Sequence, residues 1–269
     1  MQFFVAAPRV AFALLALSTT AACSGGEGGG GGGSGVRGFV TAGLSRDATF
    51  GDSFGGSAVF IDRSIPIPDL ETADGTCIEG GGGELSGNVN FKDVGETVTI
   101  TTSAGDLVMN ALLPGIYFGD GADTLWSMGE TVTFETSGGA VDSFTRDFEM
   151  SGALTLTAPD PALDLTINRA VDFTLAWTSS GTTDPIFVTI EQYDFDTDET
   201  PFSLTCRFDD DGSATIASSL LSDMVVDPNL DTDVSIAKDR LTFIEDVPGI
   251  GTIVGDGSVT YSLFVQEVL

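Results

Sequence analysis

The sequence predicts an all-β protein: two β-sandwich-like units, or one extended sandwich, behind a flexible glycine-rich tether. Three observations lead there. Beyond Phe39, apolar residues recur at every second position instead of every third or fourth, the period of a strand with one buried face. Clusters of Gly, Asp and Ser punctuate these runs as turns do. Residues 24–35, SGGEGGGGGGSG, hold nothing that could pack, and the alternation begins only after them.

The chain opens MQFFVAAPRVAFALLALSTTAAC. Arg9 precedes the apolar run Val10 to Leu17, which is too short to cross a bilayer, where about 20 apolar residues are needed. Small residues then lead to Cys23. The pattern is that of an export signal over residues 1–22. Its end, STTAAC, resembles the lipobox of bacterial lipoproteins, with Thr20 where a leucine is usual. The resemblance implies lipidation at Cys23, a membrane partner reached through that lipid, and a bacterial cell-envelope location. Ser24 would permit outer-membrane sorting. Ordinary cleavage, with Cys23 an unmodified thiol, stays open. Residues 23–35 then act as a tether with a root-mean-square span of roughly 20 Å. No Lys-Ser/Thr follows the glycines, so they do not form a phosphate loop.

Composition excludes whole classes of function. Apolar residues make up 42% of the 269, enough for a sizeable core. The chain carries 10 basic and 40 acidic residues, net −30. Loss of residues 1–22 would remove Arg9 and no acid, leaving 9 against 40, net −31. A field of that sign repels phosphate backbones, so nucleic acid is not a partner. Histidine is absent. Ser-His-Asp and Cys-His nucleophiles and imidazole zinc sites are therefore excluded.

In the first unit, residues 36–157, GETVTITTSAG (95–105) returns 34 residues on as GETVTFETSGG (129–139). Val98 and Ile100, and Val132 and Phe134, face one way in the two copies. Each copy ends in glycine where the chain can turn back, so the repeat reads as one strand and turn used twice. APDPAL, residues 158–163, interrupts the strands and suggests a boundary. In the second unit, residues 158–269, VDFTLAWT aligns Val171, Phe173, Leu175 and Trp177. FSLTCRF aligns Phe202, Leu204, Cys206 and Phe208, and SVTYSLFV aligns Val259, Tyr261, Leu263 and Val265. Only 217–224 has room for a helical turn. LAWT followed by IFVTIEQY resembles two successive strands of an immunoglobulin-like or fibronectin-III-like sandwich, which implies a buried Trp177 and no particular function.

Cys77 and Cys206 remain after Cys23. Export favours a disulfide between them. Cys206 reads as core-facing and Cys77 as a loop residue, so two separate thiols stay open as well. Neither can be a catalytic thiol without a histidine to activate it.

Other motifs lack their context. GDSFG (51–55) matches a nucleophile elbow, but a strand follows where a helix is required, and Ser53 has no histidine; it reads as a glycine-rich loop. SIAK (235–238) matches S-x-x-K without the family's companion elements. YDFDTDET sets Asp194, Asp196 and Asp198 at alternate positions, and FDDDGS adds Asp209, Asp210 and Asp211. Calcium, the one cofactor in view, would sit on Asp194, Asp196 and Asp198, joined by Asp209 and Asp211 if the flanking strands pair as a hairpin. Asp227, Asn229, Asp231 and Asp233 alternate likewise. Neither run completes an EF-hand. A two-carboxylate glycosidase needs only acids, and 40 acids nominate no pair. The expectation is a non-enzymatic, lipid-anchored envelope protein serving binding, adhesion or structure, with an envelope protein or glycan as partner and no catalytic residues. A calcium-dependent binder and an exported glycan hydrolase are the alternatives.

Overall fold

A computed structural model describes residues 36–47, 51–65, 73–80, 90–121, 126–197 and 199–269. The signal segment, Cys23, the tether and Asp198 lie outside these residues. The described chain is almost wholly β. In the first half run β1 (Val36–Asp47), β2 (Gly51–Ile65), β3 (Thr76–Glu79), β4 (Thr97–Thr101), β5 (Asp106–Leu113), β6 (Ile116–Gly121), β7 (Thr131–Thr136) and β8 (Thr145–Glu149). The second half adds β9 (Thr155–Ala158), β10 (Leu165–Ile167), β11 (Phe173–Thr178), β12 (Ile186–Asp194), β13 (Glu199–Phe208) and β14 (Ser213–Ile216). A single helical turn, α1 (Ser218–Leu221), falls in the window where one was expected, and the long strands β15 (Asp231–Val247) and β16 (Gly251–Val268) follow.

One large sheet runs β3-β13-β12-β15-β16-β1-β2-β6-β5-β4-β7-β8, with β10 also paired to β16. A small sheet, β14-β11-β9, forms a second layer. The two halves of the sequence meet inside the large sheet, where β1 pairs in parallel with β16 from Val36↔Thr252 to Asp47↔Ser262. The 158–163 segment lies between β9 and β10, and β9, from before it, pairs with β11, from after it.

The repeated segments are neighbours. They supply β4 and β7, which pair antiparallel with Ile100 opposite Phe134. Val98, Ile100, Val132 and Phe134 are all fully buried. The turns after both copies use glycines with positive φ, Gly105 and Gly138. Beneath them Tyr117 is fully buried, and its hydroxyl donates to the carbonyl of Gly95 at 2.9 Å while accepting from the amide of Val94. A buried hydroxyl satisfied in both roles loses little to desolvation.

β15 and β16 are long enough to serve both halves. Over 231–238, β15 pairs with β12. At the other end of the hairpin β8 packs across β16, with the Ser151 amide donating to the Gly257 carbonyl at 3.1 Å. The approach depends on missing side chains. A Cβ on Gly257 would sit 2.5 Å from the backbone of Glu149 and Met150, and one on Gly255 would overlap Phe148.

Alternation predicted most inward positions correctly. Phe202, Leu204, Cys206, Phe208, Leu175 and Trp177 are buried, as are Val259, Tyr261 and Leu263. Two local readings change. Val171 precedes β11 in a turn and is 55% exposed, because the amide of Val171 closes a turn on Asn168. GDSFG is the start of β2 and not a loop; Ser53 pairs with Ser45 of β1.

Cys77 and Cys206 face each other across the β3–β13 pair and are disulfide-bonded, with Cα atoms 4.0 Å apart. Cys77 lies on an edge strand, so the loop reading gives way to a strand position. The bond closes 129 residues, worth up to about 5 kcal/mol in the chain-entropy model. Cys77→Ser should therefore lower the melting temperature, and reductant should shift the wild type to the same value while leaving the variant unchanged.

Candidate functional site

Four exposed apolar side chains gather at one end of the two-layer region: Phe195 (73% exposed), Val171 (55%), Val226 (52%) and Val225 (39%). They come from three connections that the topology stacks together: the β10–β11 turn, the tip of the β12–β13 hairpin, and the segment from α1 to β15. Pairing sets this placement, because Val265 of β16 lies opposite both Leu165 of β10 and Thr232 of β15, while Tyr193 of β12 lies opposite Asp231.

Side chains tie the three connections to one another. Buried Gln192 accepts from the amide of Val225 at 2.7 Å and donates to the Val225 carbonyl at 2.9 Å. Its amide also donates to Thr232 Oγ1. Arg169 donates to the carbonyl of Met224 at 2.8 Å. The Ser218 amide donates to Asp172 at 2.8 Å. Phe195 packs edge-on against Tyr193, ring centroids 4.7 Å apart. The end is thus held in one arrangement by groups that lie behind the exposed residues.

Two of the predicted calcium ligands lie here and two do not. Asp194 Oδ1 accepts from the amides of Asp196 and Thr197, closing the hairpin tip, and hydrogen bonding from Thr197 and Asp196 holds its carboxyl below the usual range. Asp209 and Asp211 sit at the other end of β13, about 30 Å away at the rise of an extended strand. The hairpin does pair, but its register sets Asp194 against Glu199 and Ile186 against Phe208, so the two clusters cannot share an ion. Asp209 instead pairs with Arg207 at 2.8 Å, and Asp211 accepts from the amide of Ser213. Among the described residues no three His, Cys, Asp or Glu side chains group as a metal site would require.

Asp210 is buried in the core. Its carboxylate accepts from Lys238 Nζ at 2.5 Å, from the Trp177 indole at 2.8 Å and from the amide and hydroxyl of Ser180. Lys238 Nζ also donates to Ser180 Oγ, and neither charged side chain is more than 1% exposed. Burial pushes the Asp210 carboxyl up, but these donors, Lys238 first, outweigh it and hold it below its usual value. The pair also disposes of SIAK. Lys238 shares the inward face of β15 with Val234 and Ile236, whereas Ser235, three positions away, points to the opposite face.

A second charged group lies where β15 and β16 cross the middle of the large sheet. Arg240 bridges Asp184 at 3.0 Å and Glu149, beside an open cleft of about 450 Å³ lined by Thr131, Asp147, Phe148 and Phe243 among others. Next to it, Leu241 of β15 lies opposite Asp256 of β16, so Asp256 and Asp239 are diagonal neighbours on one face. Asp256 Oδ1 is buried without a hydrogen-bond partner. Burial, reinforced by the charge of Asp184, raises the Asp239 carboxyl to about 7; burial and then Asp239 raise Asp256 well above its usual value. Sequence gave no hint of this pair, since every second acid on an alternating strand reads as solvent-facing. Phe195 and the adjacent Val225–Val226 were legible in principle: an aromatic between aspartates at a turn, and two consecutive valines, cannot both alternate and stay covered.

No family model matches the chain, and no curated protein matches it. Among solved structures, one from an Antarctic bacterium described as "Ca2+-stabilized adhesin helps an Antarctic bacterium reach out and bind ice" aligns at 16% identity, over 87% of this chain and 50% of that one, with a TM-score of 0.23. This chain spans about half the length of that structure, and a TM-score that low transfers neither fold nor function.

Two outcomes follow from the charged groups. Lys238→Met should cost about 3–5 kcal/mol in denaturant unfolding, because it leaves the Asp210 carboxylate buried without its cation. Asp239 ionises near pH 4 when unfolded but only at about 7 when folded, so its contribution to stability falls as pH rises from about 4 to about 7 and then levels, and the raised carboxyl of Asp256 acts in the same direction. Asp256→Asn should flatten that slope and raise the melting temperature at about pH 8 by a few degrees.

Proposed function

We propose that this protein is a non-enzymatic, lipid-anchored module of the bacterial cell envelope that presents a binding end away from the membrane. One observation carries the reading: the chain enters the sheet at one end of β16, and the linked turns that expose Val171, Phe195, Val225 and Val226 lie at the other, although Leu112, Leu113 and Phe243 are exposed nearer the entry. Val36, the first described residue of β1, lies opposite Thr252, whereas the turns bearing Val171, Phe195, Val225 and Val226 lie beyond Val265. The separation is roughly 45 Å along the strand. A lipid on Cys23 and a glycine coil before Val36 would therefore hold the membrane at one end and leave the turns bearing Phe195 and Val226 outermost. The lack of histidine, the burial of Lys238 on Asp210 and the outward turn of Ser235 support a binding role over a catalytic one.

Adhesion or envelope assembly is the use such an end suits, since it is rigid, remote from the tether and rich in side chains that prefer to be covered. A calcium-dependent version would act through Asp194, Asp196 and Asp198, the last of which lies outside the described residues. In cells of the source bacterium, labelled palmitate should attach to the wild-type chain and fail to attach to Cys23→Ala. Equal labelling of both, or of neither, refutes the anchor.

A further inference from the structure

We propose that the apolar end formed by Val171, Phe195, Val225 and Val226 docks a cationic, amphipathic polypeptide segment. This rests on the binding reading above and names the partner's chemistry.

The apolar residues supply the contact and the surrounding charges choose the partner. Within the turns that form the end stand Asp172, Asp194, Asp196, Glu199, Asp223, Asp227 and Asp231, against the single cation Arg169. The guanidinium of Arg169 is directed inward, donating to the backbone carbonyls of Met224 and Ser222. Several of the acids are pinned by local hydrogen bonds: Asp172 takes the Ser218 amide, Asp194 the amides of Asp196 and Thr197, and Asp227 the amide and side chain of Asn229. Those bonds fix the carboxylates in place without neutralising them. The result is a set of exposed apolar residues in turns whose side-chain charge is of one sign, the combination that selects by charge and binds by burial.

Those acids exclude the other occupants by Coulomb repulsion. A second copy would bring the same acids against themselves, each chain at net −30. An anionic lipid surface would be repelled in the same way. A helix or strand with lysine or arginine around an apolar stripe satisfies both parts. The end needs no rearrangement to receive it, because Gln192 and Arg169 already hold the three connections together.

The test uses the full chain purified in detergent and a synthetic helical peptide of leucine and lysine about 18 residues long, its leucines on one face. A leucine–glutamate peptide of the same pattern and a lysine peptide without leucine are the comparisons. By fluorescence anisotropy the leucine–lysine peptide should bind at least about tenfold tighter than either. Phe195→Ser with Val226→Ser should weaken it at least about fivefold, and Asp194→Asn with Asp227→Asn should weaken it and reduce its salt dependence. Phe243→Ser, far from this end and also exposed, should bind as the wild type does; thermal melts show that each variant is folded. Unchanged binding by folded Phe195→Ser/Val226→Ser overturns the proposal, since the peptide would then be held by overall charge. So does equal binding of the leucine–glutamate peptide. Self-association of the wild-type chain that this double variant abolishes assigns the end to a second copy and also overturns it. None of these results bears on palmitate labelling at Cys23, so the anchor and the partner fail separately.

Discussion

Nearly everything in this fold depends on β16 having two partners at once. β15 lies along one side of it for most of its length, and β1 pairs in parallel along the other. Because parallel neighbours cannot be joined by a short turn, the chain must close this pairing over more than two hundred residues, and everything between is threaded through the closure. The inward face of β16 changes character along its length to suit. Gly255 and Gly257 admit the backbone of β8, whereas Val259, Tyr261 and Leu263 fill the space under the small sheet. The first half and the second half are held together by backbone hydrogen bonds, a stiffer connection than a linker between domains.

The distribution of cations follows from the same economy of positive charge. The chain has only two lysines, Lys92 and Lys238. Lys238 is buried on Asp210, and Lys92 donates to the carbonyl of Gly249 at the β15–β16 turn. Arg240 is shared by Asp184 and Glu149, and Arg46 lies over the ring of Tyr261. These few cations therefore knit strands together, and most of the 40 acids have no cation to meet. With 40 acids against 10 bases the surface is acidic wherever the cations go, and near the exposed apolar turns Arg169 is taken up by the backbone carbonyls of Ser222 and Met224.

Much of this was legible in the order of residues. Period two gave the strands, and it placed Phe202, Leu204, Cys206 and Phe208 inside before any contact was known. The duplicated GETVT segments identified two matching strands, though not that they would lie side by side. What periodicity cannot encode is which strand lies next to which. The expected division near residues 158–163 rested on prolines, a local signal, whereas the β1–β16 pairing is set by long-range burial that no window of sequence contains. The same limit separated the calcium candidates: alternation drew attention to Asp194 and Asp196, but the register of β12 on β13 carried Asp209 and Asp211 to the far end. Val171 was misplaced for a smaller reason, since a turn closed on Asn168 delays the start of the alternation to Phe173.

The pairing of β3 with β13 has a further meaning. β13 would otherwise terminate the large sheet with a ten-residue row of open amides and carbonyls, a ready template for a foreign strand. β3 is only four residues long, too short to hold that position by hydrogen bonds alone. The Cys77–Cys206 bond staples this brief cover in place over Leu204–Arg207, so oxidation does more than tighten the fold: it keeps that stretch of the edge occupied. In a reducing compartment β3 would be held over that stretch by its four-residue pairing alone, and the backbone of Leu204–Arg207 would be open to water more often.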